Sequence, residues 1–149
     1  MTFYIKVEDN QPVGDVFVES NLKRVIKNHD WDSGLPPSGY VECEVTFPPQ
    51  LGVYEKWDDT YPNKYYYQIV DNKAKRIWAV VNLTDDEKKT LQDQVKADWA
   101  ALDNTGLESW TFDETSCTYV PPTSPPDDGK NYMWDRTSSD WKEIIWDGT

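Results

Sequence analysis

The sequence predicts an α+β fold: a mixed N-terminal domain of antiparallel strands and two helices over residues 1–105, followed by tandem β-hairpins over residues 106–149. Three observations carry that expectation. Short runs with period-two alternation of apolar and polar residues mark strands. A capped 3.6-residue period after Thr84 marks one long helix. The last third of the chain repeats itself: Trp110-Thr111-Phe112-Asp113-Glu114-Thr115-Ser116-Cys117-Thr118-Tyr119 is echoed by Tyr132-Met133-Trp134-Asp135-Arg136-Thr137-Ser138-Ser139-Asp140-Trp141. In each copy two aromatics two apart share one strand face, an Asp stands where the chain must turn, and a closing aromatic returns to that face from the opposite strand. The Asp carboxylates and the following Thr and Ser hydroxyls can accept or donate within the turn. The repeat is a folding device rather than a catalytic motif.

Taken in order, Phe3, Ile5 and Val7 alternate with Tyr4, Lys6 and Glu8, which predicts a strand. Asp9 to Gly14 breaks it as a turn, and Val16-Phe17-Val18 forms a second extended piece. Ser20 is expected to cap a short helix whose apolar stripe is Leu22, Val25 and Ile26 and which ends near Asn28. Val41, Cys43, Val45 and Phe47 alternate with Glu42, Glu44 and Thr46, a half-buried strand bounded by Pro36-Pro37 and Pro48-Pro49. Residues 65–70 and 76–81 flank Asp71-Asn72-Lys73-Ala74-Lys75, a hairpin with a polar loop. Thr84-Asp85-Asp86-Glu87 is a capping box, and Leu91, Val95, Trp99 and Leu102 follow at helical spacing up to Gly106. Beyond Gly106 the two aromatic hairpins are separated by residues 120–129, a Pro-rich connection that is stiff and extended and turns at Asp128-Gly129.

Bulk composition limits the function classes. With 149 residues the chain is one domain, or one domain with a small appendage. A formal charge of -12 opposes phosphate backbones and anionic lipid, so nucleic acid and membrane surfaces are not expected partners. The basic residues form no stripe: Lys23-Arg24 and Lys88-Lys89 are isolated pairs, and Lys73 to Arg76 lie beside the predicted loop as ordinary solvated surface. No apolar run reaches the length of a membrane span. The opening Met1-Thr2-Phe3-Tyr4 does not begin a secretory signal, so a soluble protein made in a cytoplasm is expected, with Cys43 and Cys117 as free thiols.

The sequence offers no candidate catalytic, cofactor or metal residues. The single histidine, His29, beside Asp30, Trp31 and Asp32, lacks partners at ligand spacing and reads as a capped helix end. Asp58-Asp59 and Asp127-Asp128 resemble glycosidase carboxylates but sit where turns are expected. Calcium-hand spacing and a phosphate-cradling Gly loop are missing from the sequence. What remains is aromatic. Trp110, Phe112, Tyr119, Tyr132, Trp134 and Trp141 are the partner-binding candidates, since Trp and Tyr dominate interface hot spots. Several of these rings, with Trp146, could alternatively stack on a sugar; the competing reading is a core for hairpins that have no other apolar material.

Several segments together resemble a known group. Phe3-Tyr4-Ile5-Lys6-Val7 with Gln11-Pro12-Val13, Glu19-Ser20-Asn21-Leu22, Leu51-Gly52-Val53-Tyr54-Glu55, Ser109-Trp110-Thr111-Phe112-Asp113 and Cys117-Thr118-Tyr119-Val120-Pro121-Pro122 carry the likeness. Asp128-Gly129-Lys130 and Tyr132-Met133-Trp134-Asp135 through Trp141 complete it. The chain is similar, over most of its length, to small virion-associated proteins of marine tailed bacteriophages, cyanophages in particular. The resemblance implies a non-enzymatic structural protein of the virion, tail- or fibre-associated, that is made in the host cytoplasm. Its partners would be other virion proteins, or further copies of itself as a homo-oligomer within the particle. It supplies no catalytic residue, cofactor or metal site. The alternatives are a capsid accessory or decoration protein, a carbohydrate-binding module on a phage appendage, and a fibre-assembly chaperone. Exposed, coplanar rings would mark the second of these.

Overall fold

A computed structural model describes residues 1–146. The protein is α+β with mainly antiparallel strands and divides into two compact units, Met1–Asn82 and Leu83–Thr149. Composition changes at 105/106. The division falls between Asn82 and Leu83, and the long helix belongs with the C-terminal segment because its Trp99 stacks on rings that follow Gly106.

The first unit is built on a five-stranded sheet in the order β2-β1-β3-β6-β5. Strands β1 (Phe3–Glu8) and β2 (Gln11–Val18) are joined by Asp9-Asn10 with φ of 50° and 62°. Positive φ at both central positions is the signature of the two-residue hairpin turn that matches strand twist. The break expected over residues 9–14 is therefore two residues long, and Pro12 and Val13 belong to the strand. Strands β5 (Tyr65–Val70) and β6 (Lys73–Trp78) are joined in the same way by Asp71-Asn72, φ 52° and 60°, so the predicted five-residue loop contracts to two. Asn and Asp tolerate this left-handed region because their side chains are short and polar.

Strand β3 (Tyr40–Glu44) runs antiparallel to β1 and parallel to β6. It stops at Glu44, and Phe47, expected within it, is 91% exposed. Pro48 and Pro49 have no N–H to offer a ladder. The predicted strand over 76–81 is also divided: β6 ends at Trp78, and β7 (Val80–Asn82) pairs with β4 (Glu55–Trp57) as a separate ribbon. Ala79 makes the switch, donating to the Lys64 carbonyl while its own carbonyl accepts from Asp58. Helix α1 (Glu19–Val25) follows β2 directly. Its N-cap is Val18, not Ser20, and its first turn is held by the bond from Glu19 N–H to the Thr2 carbonyl, 3.0 Å. It ends at Val25, short of Asn28.

The sheet curls until its two edge strands, β2 and β5, come into contact. Ile5, fully buried, packs with Cys43 and Ala74 on the inner face, surrounded by Phe3, Val16, Val41, Val45, Tyr67 and Ile69. Burying a side chain such as Ile5 contributes about 1.5–3 kcal/mol. Leu22 of α1 is also buried, as is Tyr4, whose ring meets Trp31 edge-on at 6.1 Å.

The second unit opens with α2 (Asp85–Ala101), whose capping box is complete. Thr84 Oγ1 accepts from Glu87 N–H at 3.2 Å and Glu87 Oε1 accepts from Thr84 N–H at 3.1 Å. Leu102, the last residue of the predicted stripe, is the C-cap and lies exposed. Strand β8 (Thr111–Asp113) pairs antiparallel with β9 (Thr118–Val120), and β10 (Tyr132–Asp135) with β11 (Asp140–Glu143). The two connections agree in detail. Asp113 Oδ2 accepts from Ser116 N–H and Oγ–H at 3.3 and 2.6 Å, and Asp135 Oδ2 accepts from Ser138 N–H and Oγ–H at 3.1 and 2.6 Å. Cys117 and Ser139, at matching positions, take φ of 53° and 52°.

Candidate functional site

The six aromatic candidates in the second unit are all half-buried. Register explains part of this: Phe112 faces Tyr119 and Trp134 faces Trp141, and each pair meets with ring centroids 5.5 Å apart. Trp99 of α2 joins them, stacking on Tyr119 at 4.2 Å and 7° and on Trp110 at 5.9 Å and 24°. Trp110 in turn meets Trp134 edge-on at 5.6 Å. Five of the six candidates thus form one continuous series of rings with Trp99 at its centre. Tyr132 is not in ring contact with the series; its hydroxyl donates to Asp128 Oδ2 at 2.5 Å. That bond, with a smaller effect of burial, pushes the phenol up to about 12. Trp146, at 83% exposure, is also apart from the series.

The indole N–H groups hold the chain around these rings. Trp134 Nε1 donates to the Gly106 carbonyl at 3.0 Å and Trp141 Nε1 to the Thr123 carbonyl at 2.8 Å. Arg136 reaches back to the Asp103 carbonyl at 2.9 Å. Gly106 is required at its position: its φ is 80°, and a Cβ there would lie 2.2 Å from the Arg136 carbonyl oxygen. The sequence places Trp99 only on a helical stripe, and Gly106 only at a helix end where the composition changes. The available signal was a tryptophan on the apolar stripe of a helix followed by an aromatic-rich segment.

A second cluster, in the first unit, escaped sequence reasoning altogether. Between the Tyr4/Phe17 and Lys6/Val13 pairs, Gly14, Asp15 and Val16 of β2 face the single Ile5 of β1, a bulge with Gly14 at φ 75°. Bulges re-aim side chains. The Asp15 carboxylate accepts from the Tyr65 hydroxyl at 2.9 Å, from the Tyr67 hydroxyl, and from Val16 N–H at 2.8 Å. It also lies 3.6 Å from Arg76 Nη2, which donates to Tyr67 Oη at 2.8 Å. The guanidinium carbon sits 4.2 Å from the Tyr65 ring centroid. This network clasps one edge of the curled sheet to the other. Burial alone would raise the Asp15 pKa, but bonds from Tyr67, Val16 and Tyr65, together with the charge of Arg76, outweigh it and hold the carboxyl below its ordinary value. Burial first, and the bond to Asp15 second, push the Tyr67 phenol up. A cleft of about 530 Å³ opens at the clasp, with Pro12, Gly14, Asn63 and Tyr66 completing its walls.

His29, Asp58 and Asp128 are engaged in local structure. His29 Nε2 donates to the Leu35 carbonyl at 2.8 Å and its ring meets Trp31 edge-on at 4.7 Å, so it is not the end cap of α1. Asp58 Oδ1 accepts from Thr60 N–H and Asp128 Oδ1 from Lys130 N–H, both at 3.0 Å, as turn residues do. Cys43 and Cys117 are free and buried, and burial pushes the Cys43 thiol up to about 11. Among the described residues, no group of three or more His, Cys, Asp or Glu side chains could hold a metal ion. None of their helices is long and apolar enough to cross a membrane. No family model matches the chain, and comparisons with curated proteins and with solved structures find no match.

Proposed function

We propose that this chain is a non-enzymatic structural protein of a tailed-phage virion, associated with the tail or a fibre, and that it works by docking to other virion proteins. The tandem-hairpin reading of residues 106–149 makes that segment the docking region, presented on a stiff aromatic frame. The observation that carries the proposal is how the candidate rings are used. They pack on one another and on Trp99, with two indole N–H groups bonded to backbone carbonyls. Rings engaged in this way stabilise a small domain and leave strand edges and exposed loops as its contact surface. A formal charge of -12 then favours a basic partner and disfavours nucleic acid.

The test has two parts. Mass spectrometry of purified particles, with copy number, should find the chain in the virion; its absence there would point to an assembly chaperone. Binding to disassembled virion proteins should be fastest at low salt and slow as salt rises. Specific binding on a glycan array without any virion partner would overturn the docking reading in favour of a carbohydrate-binding module.

A further inference from the structure

We propose that the cleft at the Asp15 clasp binds an uncharged saccharide, with Asp15, Asn63, Tyr65 and Tyr66 as its contacts. The proposal goes beyond the docking reading and does not rest on it, since it concerns the first unit and a different set of residues. At about 530 Å³ the cleft has the size of a small-ligand site. It lies at the open edge of β5, where alternation sends Tyr67 toward the core and leaves Tyr66 exposed. Val70 and Lys73 flank a two-residue turn and form a hydrogen-bonded pair, so Tyr67 and Tyr65, three and five residues before Val70, occupy non-hydrogen-bonded positions. Their backbone N–H and C=O groups therefore point away from β6, to the open edge.

Charge decides the class of ligand. Asp15 is matched by Arg76, 3.6 Å away, and the guanidinium already covers the Tyr65 ring. A cation would have to displace Arg76 from that ring, and an anion would meet the Asp15 carboxylate. An uncharged ligand does neither. The hydrogen-bonding groups left over are of both kinds. The Asn63 side chain and the Tyr66 hydroxyl have no hydrogen-bond partner among the described residues, and each can donate and accept. The Tyr65 hydroxyl gives its proton to Asp15 Oδ2, which leaves lone pairs on both oxygens. A sugar hydroxyl is at once donor and acceptor, so neighbouring hydroxyls on one ring match this mixed set. Tyr66 adds an ordered aromatic surface, held by stacking on Tyr61 at 4.8 Å and 27°, and the negative face of such a ring attracts the polarised C–H groups of a sugar. An inserted peptide strand does not fit. Cα atoms of β2 come within 8 Å of β5, less than the two spacings of about 4.8 Å that a strand between them needs.

The experiment screens full-length protein on an array of neutral, sialylated and sulfated oligosaccharides, then titrates each hit in solution by NMR, with a thermal melt of every variant as the check on folding. Neutral hits are expected, with shifts at the Asn63 side-chain amide and at the backbone amides of Tyr65, Tyr66 and Tyr67. Asn63→Ala, at an exposed position, should weaken binding at least about tenfold with an unchanged melt. Tyr66→Phe keeps the stack on Tyr61 but removes the hydroxyl, and should weaken binding by a few-fold. Offering a hit both free and as cell-surface polysaccharide shows which source the site prefers; binding of either supports the proposal. It is overturned if no neutral saccharide binds, if Asn63→Ala binds as tightly as the wild type, or if the shifts fall on Trp110 and Trp134 instead. The docking reading is judged separately, by binding to virion proteins, where Asn63→Ala should match the wild type.

Discussion

Gly106 and Asp15 show how single residues set local geometry here. A methyl group at Gly106 would meet the Arg136 backbone and force φ of 80° on an L-residue. Gly106→Ala is expected to cost at least about 2 kcal/mol in a urea titration, combining left-handed strain with the clash. A loss near zero would mean that the segment around Arg136 gives way without cost. Asp15 is a different case, because its side chain is 58% exposed and solvent screens part of its charge interactions. Asp15→Asn is therefore expected to cost only about 1 kcal/mol, through the weakened bonds to Tyr65 and Tyr67. The pH dependence has a definite sign. The folded carboxyl lies below its unfolded value of about 3.9, so the clasp stabilises the protein above that pH and loses its contribution as pH falls through the folded value. Wild-type stability should therefore fall more steeply than that of Asp15→Asn over this acid range.

At the scale of elements, the two short antiparallel pairs give a built-in comparison. Ser116 and Ser138 make the same two bonds to Asp113 and Asp135, so Ser116→Ala and Ser138→Ala should destabilise by similar amounts, about 1 kcal/mol each. Denaturation midpoints that differ widely would show that the repeats are not equivalent in energy. The carboxyls themselves should differ. Asp135 is held down to about 2 by Ser138 first and Lys142 second, whereas the Asp113 shift, also downward, has no lysine among its causes. An NMR titration of the two carboxyls should place the Asp135 midpoint lower. Helix α2 leans on these pairs: its Trp99 is half-buried, with Tyr119 and Trp110 stacked against it. A chain truncated at Asp103 should lose most of the α2 helical signal by circular dichroism, since burial of an apolar face supplies most helix stability in proteins.

For the whole molecule, the difference between local and distant interactions separates what could be read in advance from what could not. The capping box at Thr84 was legible because its donors and acceptors lie within four residues, and so was the aromatic repeat, whose Asp-Ser turns are equally local. The Asp9-Asn10 and Asp71-Asn72 turns were placed but drawn too long, since composition marks a turn without showing that the strands continue into it. The partition into 1–82 and 83–149 was not legible, because composition changes at Gly106 while packing is decided by Trp99. Nor was the clasp. Asp15 meets tyrosines about fifty residues away, and Arg76 looked like loop surface until β6 was paired with β5. The sequence by itself determined the α+β class, the long helix and the internal repeat, all of which follow from periodicity and from hydrogen bonds between near neighbours. Only the tertiary structure decided which edges of the sheet meet, which rings are enclosed and where the chain divides, because those outcomes depend on surfaces brought together by strand pairing and curl rather than on any contiguous run of residues.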